Sequence, residues 1–379
     1  MLGVVLAGGE GVRLRPLVKR TPKALVRLAG RPLYVYSLEE LSPVTRRVVV
    51  VAPPGRGGLF REAPRVVEQP LVGNLDSAIA VARAESERED AETVVLAFTG
   101  FISAPRGMAS AVVDYYSTSG YQAVLAAVPV ATGLETYGFL DMSPSGSVSA
   151  YIPPGSAKAR AGAGYVFAGV LAASRAALRV LASHGFEEGL NRLAGEGVLG
   201  ALVWHGDWVE IGYPWDLLEA KRIALQLAQP TIHPEASIGR GATLEGRVTV
   251  ERGARISSGA VVEGPAYIGP GALVEAGAYI SSSILEASAR LGSHASVVES
   301  VVMESASIGP HSHVEHSVVG PSASLGHYTL ARAGEPPTPP ARLAGLEKIL
   351  KIKTVVGAIV GEAARLPPRS TLDPGVIAE

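Results

Sequence analysis

An aliphatic residue recurs at every sixth position between residues 232 and 280. A period of six matches neither the α-helix nor an isolated amphipathic strand, and glycine or another small residue accompanies many of the repeats. Hexapeptide repeats of this kind stack their aliphatic side chains inside a left-handed parallel β-helix, with about three hexapeptides in each coil. The repeating positions are Ile232, Ile238, Leu244, Val250, Ile256, Val262, Ile268, Val274 and Ile280.

The repeat length changes after residue 280. Leu291, Ile308 and Leu325 stand in equivalent places seventeen residues apart, which predicts that the solenoid continues with one residue fewer per coil. A proline-rich stretch at 334–342 interrupts the pattern, a short amphipathic helix is predicted over 343–352, and an imperfect coil follows. Because such solenoids usually form trimers through one flat face, we expect a homo-oligomer, with a homotrimer as the first possibility.

The first part of the chain has a different pattern. Strand-like apolar runs at 44–52, 93–98, 123–130 and 165–171 alternate with helical patterns at 74–85, 107–116 and 214–228. This alternation predicts an α/β fold with a Rossmann-like, mixed but mostly parallel sheet, covered on both faces. Pro230 follows the last helix, so we predict a first domain at 1–229 and a β-helix domain at 230–379.

Composition excludes several classes of protein. Lys and Arg number 34 against 35 Asp and Glu, so the net charge of −1 offers no field for a nucleic acid. The 379 residues contain no cysteine, which excludes disulfides and thiolate metal sites. No signal peptide and no apolar run of membrane length are found, so we expect a cytoplasmic protein without a membrane partner.

Residues 4–33 combine a buried strand with a glycine-rich turn and a few cations. Gly8, Gly9 and Gly11 lack the side chains that would keep backbone N–H groups away from an oxyanion. Arg13 supplies a rigid fork of donors for phosphate, and Lys23 supplies a compact charge. The spacing is neither the dinucleotide fingerprint nor the P-loop, because the lysine comes too late and no Ser or Thr follows it. The turn is predicted to bind phosphates.

The string GGEGVRLRPLVKRTPKALVRLAGRPL closely resembles the first motif of the sugar-1-phosphate nucleotidyltransferases, also called nucleotide-sugar pyrophosphorylases. The resemblance implies that the three glycines wrap a nucleoside triphosphate and that Arg13 and Lys23 are the catalytic cations. Further matches imply that Gln69 reads the base while Gly73 allows close approach, and that Tyr137 and Gly138 touch the sugar. The implied partners are therefore a nucleoside triphosphate and a sugar 1-phosphate.

The motifs for the metal and the sugar depart from this family. Phe101 stands where the family has the first Mg²⁺-binding Asp, and Glu210 replaces the second, so the resemblance implies Mg²⁺ but the residues predict weak binding. Asp76, Asp207 or Asp216 could compensate, although Asp216 is better explained as flanking its helix. The sugar-binding Glu, the second phosphate Lys and the sugar Asn correspond to Ile152, Pro153 and a position near Ala161. Lys158 is more simply a solvent-facing loop lysine than a substitute.

Three hypotheses follow. The first is an enzyme that forms a nucleotide-sugar and pyrophosphate. The second is a regulatory subunit that binds a nucleotide or nucleotide-sugar without turnover, assembled with an active homologue through the β-helix. The third rests on a resemblance of the solenoid to archaeal two-domain enzymes that also acetylate an amino-sugar 1-phosphate, with His311 near the family's catalytic His; the later motifs of that activity are lost. His311, His313 and His316 are better explained as turn residues than as metal ligands.

Overall fold

The computed structural model describes residues 1–19, 21–131, 137–156, 163–335 and 355–379. The chain divides into two compact units. Unit 1 consists of Met1–Glu10, Pro22–Leu25 and Pro32–Glu210, and unit 2 of Gly11–Thr21, Val26–Arg31 and Ile211–Glu379. The domain boundary at 229/230 stays a prediction. The helix predicted over 343–352 lies outside the described residues.

Unit 1 contains a mixed sheet whose strands run in the order β10-β9-β11-β6-β1-β4-β5, with β8 joining β11 and β12. Strands β5, β4, β1 and β6 are parallel neighbours, and β11 runs antiparallel to β6, β8 and β9. The Rossmann-like mixed sheet is thus confirmed. Its strands are β1 (Leu2–Leu6), β4 (Arg47–Ala52), β5 (Val66–Glu68), β6 (Thr93–Phe98), β8 (Ala123–Val130), β9 (Phe139–Met142), β10 (Val148–Ile152), β11 (Gly164–Ser174) and β12 (Leu199–Val203).

Outside the solenoid, the described residues also form two short ribbons, six α-helices and three short 3₁₀ helices. The ribbons are β2 (Arg27–Leu28) with β3 (Arg31–Pro32), and β7 (Phe101–Ala104) with β13 (Asp207–Glu210). The helices of the described residues are α1 (Leu33–Leu41), α2 (Leu75–Arg88), α3 (Met108–Ser119), α4 (Arg175–His184), α5 (Phe186–Gly195) and α6 (Asp216–Leu227). The patterns at 74–85, 107–116 and 214–228 correspond to α2, α3 and α6, whereas α1, α4 and α5 were not predicted.

Unit 2 contains a parallel β-helix with three sheets of stacked strands, which confirms the predicted solenoid. The first face holds β14 (Thr231–Ile232), β17 (Val248–Val250), β20 (Ala266–Ile268), β23 (Ile284–Leu285), β26 (Val301–Val302), β29 (Val318–Val319), β32 (Ile359–Val360) and β35 (Ile377–Ala378). The second holds β15 (Ser237–Ile238), β18 (Arg255–Ile256), β21 (Leu273–Val274), β24 (Arg290–Leu291), β27 (Ser307–Ile308), β30 (Ser324–Leu325) and β33 (Arg365–Leu366). The third holds β16 (Thr243–Glu245), β19 (Val261–Glu263), β22 (Tyr279–Ser281), β25 (Ser296–Val298), β28 (His313–Glu315), β31 (Leu330–Ala331) and β34 (Thr371–Leu372).

The register of the solenoid explains the change of repeat length. Val262 pairs with Ile280, eighteen positions on, whereas Ile280 pairs with Val297, seventeen positions on. The repeating aliphatic residues from Val250 onward are buried in one continuous core. Ile232 and Ile238 keep the repeat but are 52% and 37% exposed, because they belong to the first coil and no earlier coil covers them.

The shorter coils have one residue fewer at the corner that precedes β23, β26 and β29. Buried serines occupy this corner and form a ladder of hydrogen bonds. The Ser283 hydroxyl accepts a hydrogen bond from the Ser300 N–H at 3.0 Å, and the Ser300 hydroxyl accepts one from the Ser317 N–H at 3.0 Å. The Ser317 hydroxyl in turn accepts from the Ala358 N–H at 2.9 Å. Each buried N–H therefore has a partner, which a corner without backbone acceptors would otherwise lack.

No helix in the described part of the chain combines the length and the apolar character needed to cross a membrane.

Candidate functional site

The candidate site in unit 1 is built at the carboxyl ends of adjacent parallel strands. Strands β1 and β6 end side by side at Leu6 and Phe98, and the Thr99 N–H donates to the Leu6 carbonyl at 3.2 Å. Gly8 and Gly9 follow β1, and Gly100 follows β6. Open parallel sheets bind ligands at this edge, where strand order reverses around the first strand.

Gln69 lies against Gly8. A Cβ atom at Gly8 would come within 1.9 Å of the Gln69 Oε1, so only glycine leaves room for this side chain. The Gln69 Nε2 donates to the carbonyl of Leu71 and, at 3.1 Å, to that of Asn74. Gln69 is only 1% exposed, and its Oε1 is buried without a hydrogen-bond partner among the described residues. A buried acceptor of this kind costs free energy unless a ligand supplies a donor.

Gly73 closes the same corner. Its N–H donates to the Gly8 carbonyl at 3.0 Å, and its φ of +66° lies in the left-handed region that favours glycine. Asn74 then caps α2, because its Oδ1 accepts a hydrogen bond from the Ser77 N–H at 2.7 Å. Asn74 therefore provides a working helix cap. Three of the predicted nucleotide-binding residues, Gly8, Gln69 and Gly73, lie together.

Lys23 reaches the end of β6. A Cβ atom at Gly100 would lie 2.1 Å from both the Cε and the Nζ of Lys23, so the ammonium group sits directly against the Gly100 backbone. Gly100 has a φ of +101°, which also requires glycine. The predicted phosphate-binding lysine is thus placed beside the residue that precedes Phe101.

Phe101 is part of the hydrophobic core. It is 3% exposed, and a Cβ atom at Gly169 would lie 2.7 Å from the Phe101 Cδ1. Strand β7 pairs Phe101 directly with Glu210 of β13, so the one matched carboxylate faces a phenyl ring. No cluster of three or more His, Cys, Asp or Glu side chains able to hold a metal exists among the described residues. These residues do not fit a Mg²⁺ ion held by two carboxylates.

Asp76, Asp207 and Asp216, which could have compensated for the missing metal ligand, do not supply a second carboxylate at this position. The Asp216 Oδ2 is buried and accepts hydrogen bonds from the Gly212 and Tyr213 N–H groups at 2.7 and 2.8 Å. The Asp76 Oδ1 accepts from the Phe186 N–H at 2.8 Å. Asp207 lies opposite Ala104, three residues from Glu210, so the two carboxylates point to opposite faces of their strand. None of the three places a second carboxylate opposite Glu210.

The predicted sugar-binding pair lies in an aromatic setting. The Tyr137 ring packs against Trp208, with the ring centres 5.7 Å apart, and the Trp208 indole donates to the Ala168 carbonyl at 2.9 Å. A Cβ atom at Gly138 would meet the Tyr151 hydroxyl at 2.3 Å. Burial, followed by the charges of Glu187 and Glu210, raises the pKa of Tyr151 above its ordinary value, so this hydroxyl stays a neutral donor.

The sequence did not predict the part played by Tyr151 and Trp208. Ile152 ends β10 and Pro153 follows it, both half-buried, whereas Lys158 and Ala161 lie outside the described residues. Trp208 stands two residues before Glu210 and could have been singled out on that ground. Its contact with Tyr137 could not, because the two residues are far apart in the sequence.

Gly11 and Arg13 fall in unit 2. Gly11, with a φ of +75°, begins a short 3₁₀ helix at Val12–Leu14. The Arg13 guanidinium lies 5.3 Å from the centre of the Tyr213 ring, a cation–π contact that orients its fork of donors. Gly212 lies next to this guanidinium, since a Cβ atom there would be in ordinary contact with the Arg13 Cζ at 3.6 Å. Tyr213 is a site residue that the sequence did not reveal.

The histidines of the solenoid form a stack of rings. His311 lies between His294 and Tyr328, with ring centres 5.3 and 5.0 Å away and nearly parallel planes. All three are exposed turn residues with φ between 56° and 58°. His313 faces Glu315 at 2.7 Å instead. The stack covers both faces of the His311 ring, and the side chains do not converge on a metal.

Comparison with known proteins agrees with this architecture. Residues 3–194 match the model of the MobA-like NTP transferase domain, which is more than half of the chain. The chain belongs to the MobA-like NTP transferase family. Residues 244–364 also match the model of the GMPPB C-terminal domain. These matches confirm the prediction, made from the glycine-rich signature, that the chain is related to the sugar-1-phosphate nucleotidyltransferases.

Similarity to individual relatives is local. The chain is 51% identical over 41 residues to the bifunctional IPC transferase and DIPP synthase of Aquifex aeolicus, covering 11% of this chain and 10% of that protein. It is 45% identical over 49 residues to the mannose-1-phosphate guanylyltransferase catalytic subunit beta of Drosophila melanogaster, covering 13% of each chain. A third match, 41% over 58 residues, is the low-salt glycan biosynthesis nucleotidyltransferase Agl11 of Haloferax volcanii, covering 15% of this chain and 16% of that protein. The matches span only a small part of these relatives.

Proposed function

We propose that the protein transfers a nucleotidyl group from a nucleoside triphosphate to a sugar 1-phosphate, giving a nucleotide-sugar and pyrophosphate. The observation that carries the proposal is the corner formed by Gly8, Gln69 and Gly73, where a buried amide oxygen awaits a donor at the ligand-binding edge of the sheet. The family membership and the printed activities of the guanylyltransferase relatives support it.

The orientation of Gln69 supports a restricted set of bases. Two backbone carbonyls take the donors of its Nε2, so its Oε1 is left as the acceptor. Guanine, uracil and thymine present a ring N–H that can donate to this oxygen, whereas adenine and cytosine present a ring nitrogen without hydrogen at the equivalent edge. Adenine and cytosine could offer this oxygen only their exocyclic amino group, so the bases with a ring N–H are favoured. GTP with mannose 1-phosphate is the first pair to test, because several relatives carry that activity in their names.

The chemistry requires charge neutralisation and alignment. An oxygen of the sugar phosphate attacks the α-phosphorus, the bond between the α-phosphorus and the bridging oxygen breaks, and pyrophosphate leaves with that oxygen and its electron pair. Lys23 and Arg13 would stabilise the charge on the phosphates, and Gly8, Gly9 and Gly11 would let backbone N–H groups approach them. Since Phe101 and Glu210 do not fit a two-carboxylate Mg²⁺ site, we assign no step to a metal held by the protein.

Assembly and location complete the proposal. The exposed faces of the β-helix would join copies of this chain, as a homotrimer or with an active homologue, and the protein would act in the cytoplasm. A second candidate function, binding of nucleotide or nucleotide-sugar without turnover, is favoured by the buried Phe101 at the metal position. The solenoid's His311 stack gives no support to acetyl transfer.

The test combines turnover with binding. The purified chain is incubated with Mg²⁺, mannose or glucose 1-phosphate and each of GTP, UTP, dTTP, ATP and CTP, while pyrophosphate release and calorimetric binding are measured. Release with a ring-N–H base, and about a 10²–10³-fold loss in Lys23→Met but not in the matched surface variant Lys19→Met, supports the enzyme. Binding without release selects the regulatory subunit, and no binding of any nucleotide contradicts both.

A further inference from the structure

The turn between β2 and β3 in unit 2 has an unusual backbone. Ala29 and Gly30 have φ values of +49° and +76°, the arrangement of a type I′ hairpin turn. Glycine adopts this conformation readily, but alanine pays for its Cβ atom in the left-handed region. The Arg27 Nη1 donates to the Gly30 carbonyl at 2.5 Å and holds one side of the turn. Successive left-handed residues also point their N–H groups to one place, where they bind an anion or a carboxyl group.

A carboxyl group of the solenoid fills that place. Both oxygens of Glu286 accept from the Gly30 N–H, at 3.0 and 3.3 Å, and the Ala29 N–H also hydrogen-bonds to Glu286. Glu286 is 0% exposed. A Cβ atom at Gly30 would lie 2.1 Å from the Tyr267 hydroxyl, so the turn is packed tightly on the coils that carry Tyr267 and Glu286.

The solenoid itself does not require a carboxyl group at this position. Strand pairing places Gly269 and Met303 at the equivalent position in the coils on either side. Buried carboxyl groups are rare unless they have a partner, and here the partner is the hairpin turn. Glu286 is therefore explained by the segment it holds rather than by the coil it belongs to.

The other part of the signature in unit 2 is held in a similar way. The Glu362 N–H donates to the Pro16 carbonyl at 2.9 Å, and the Glu362 carboxylate accepts from the Lys19 N–H at 2.5 Å. The two held segments, Gly11–Thr21 and Val26–Arg31, flank Pro22–Leu25 in the sequence, which contains Lys23. Both signature segments that belong to unit 2 are thus held by glutamates of the β-helix.

We propose that Glu286 is a positioning residue for nucleotidyl transfer, which fixes the Ala29–Gly30 turn and thereby the path of the chain leading from Lys23. This inference rests on the proposed function for its kinetic part. Glu286 touches no substrate; it acts through the turn. A displacement of about 1 Å at a phosphate-binding group can cost about 10²-fold in rate.

The protonation state of Glu286 gives an independent signature. Burial, opposed by the Gly30 N–H and Arg27 and reinforced by Glu304, raises the pKa of Glu286 to about 8. The unfolded chain ionises near 4.5, so between these two pH values folding takes up a proton. The contribution of Glu286 to stability is fully present below pH 4.5, falls as the pH rises to about 8, and is level above it. Glutamine keeps the acceptor oxygen but cannot ionise.

The first experiment measures hydrogen exchange of the peptide covering residues 22–32 in wild type, Glu286→Ala, Glu286→Gln and the neighbouring control Glu304→Gln. We expect faster exchange in Glu286→Ala alone, with the remaining peptides unchanged. Unchanged exchange in Glu286→Ala would overturn the anchoring, whether or not the protein is an enzyme. If Glu286→Ala does not fold, the difference in melting temperature between Glu286→Gln and wild type decides, and it should grow from pH 5.5 to pH 8.5. An unchanging difference would refute the buried, protonated anchor.

The second experiment separates positioning from mere structure. At pH 7 we expect Glu286→Gln to keep kcat/KM within about twofold and Glu286→Ala to lose about 10²-fold, mainly in kcat. If exchange increases while kcat/KM stays unchanged, Glu286 is structural and the positioning role is wrong. If wild type releases no pyrophosphate, the proposed enzyme fails, and the same variants are compared by nucleotide affinity: an unchanged affinity in Glu286→Ala overturns the positioning role.

Discussion

The base side and the metal side of the candidate site differ in kind. On the proposed base side, Gly8, Gln69 and Gly73 lie together and are joined by hydrogen bonds and close packing. On the metal side, the position opposite Glu210 is a buried phenyl ring packed on Gly169. One side thus offers a buried polar acceptor, the Gln69 Oε1, whereas the position of the expected metal ligand on the other side is part of the hydrophobic core.

The difference shows that binding and chemistry can be separated within one fold. A pocket for a base needs one oriented amide and room beside a glycine, whereas a Mg²⁺ site needs several oxygens in fixed geometry. The replacement of one carboxylate by Phe101 therefore affects the proposed metal side without touching the contacts of Gln69. Lys23 lies against Gly100, the residue that precedes Phe101.

The largest effect is expected from restoring a carboxylate on the metal side. Phe101→Ala removes a buried ring and should lose about 3–5 kcal/mol of stability. Phe101→Asp should lose more without metal, because it also buries a carboxylate opposite Glu210. Only Phe101→Asp places two carboxylates on paired residues, so Mn²⁺ or Mg²⁺ should stabilise it by about 2.7 kcal/mol at a hundred times its dissociation constant. Melting curves with and without metal measure this. An equal metal response in wild type or in Phe101→Ala would mean that the metal binds elsewhere.

A smaller effect is expected from crowding the base side. Gly8→Ala places a Cβ atom on the Gln69 Oε1 and should weaken nucleotide binding at least about tenfold, or about 1.4 kcal/mol. Because the clash is with one side chain, the stability cost of Gly8→Ala should disappear in a Gln69→Ala background, which a double-mutant cycle detects. Gly195→Ala, where a Cβ atom meets nothing, is the control. Additive stability changes at Gly8 and Gln69 would disprove the contact.

The smallest effect concerns the cap of α2 beside Gln69. Asn74→Ala removes the acceptor for the Ser77 N–H and should lower the free energy of unfolding by about 1 kcal/mol. Asn74→Thr keeps an oxygen acceptor and should be nearly neutral. Denaturant unfolding compares the two. If Asn74→Ala and Asn74→Thr lower the free energy of unfolding equally, the side-chain cap does not contribute to stability.

Much of the fold can be predicted because its patterns are local. The apolar runs at 93–98 and 123–130 coincide with β6 and β8, and the six-residue period predicts the β-helix core from Val250 onward. Helices α4 and α5 were not predicted although each carries an amphipathic pattern, with Leu178 and Leu181 buried in α4 and Leu190 and Leu193 buried in α5. The run at 165–171 extends to Ser174 as β11, past Gly169, whose left-handed φ a strand pattern does not predict. Long-range pairing decides the extent of this strand.

The candidate site is predictable only in part. Glycines and charges in the signature indicate phosphate binding, and Phe101 in place of Asp indicates a lost metal ligand. The contacts of Arg13 with Tyr213 and of the Ala29–Gly30 turn with Glu286 join residues far apart in the sequence, and no local pattern marks them. Which side-chain atom of Gln69 stays available, the oxygen or the nitrogen, likewise depends on where the Leu71 and Asn74 carbonyls lie.

The serine ladder makes one corner of the solenoid tolerant of insertions. The Ala358 N–H takes the place next to Ser317 that a directly following coil would provide, so the hydrogen bonds continue although Val318 pairs with Ile359. The connection from β31 to β32 can therefore be longer than the connection from β28 to β29 while the strands stay in register. A reporter peptide grafted between β31 and β32 should leave the coils on both sides in register.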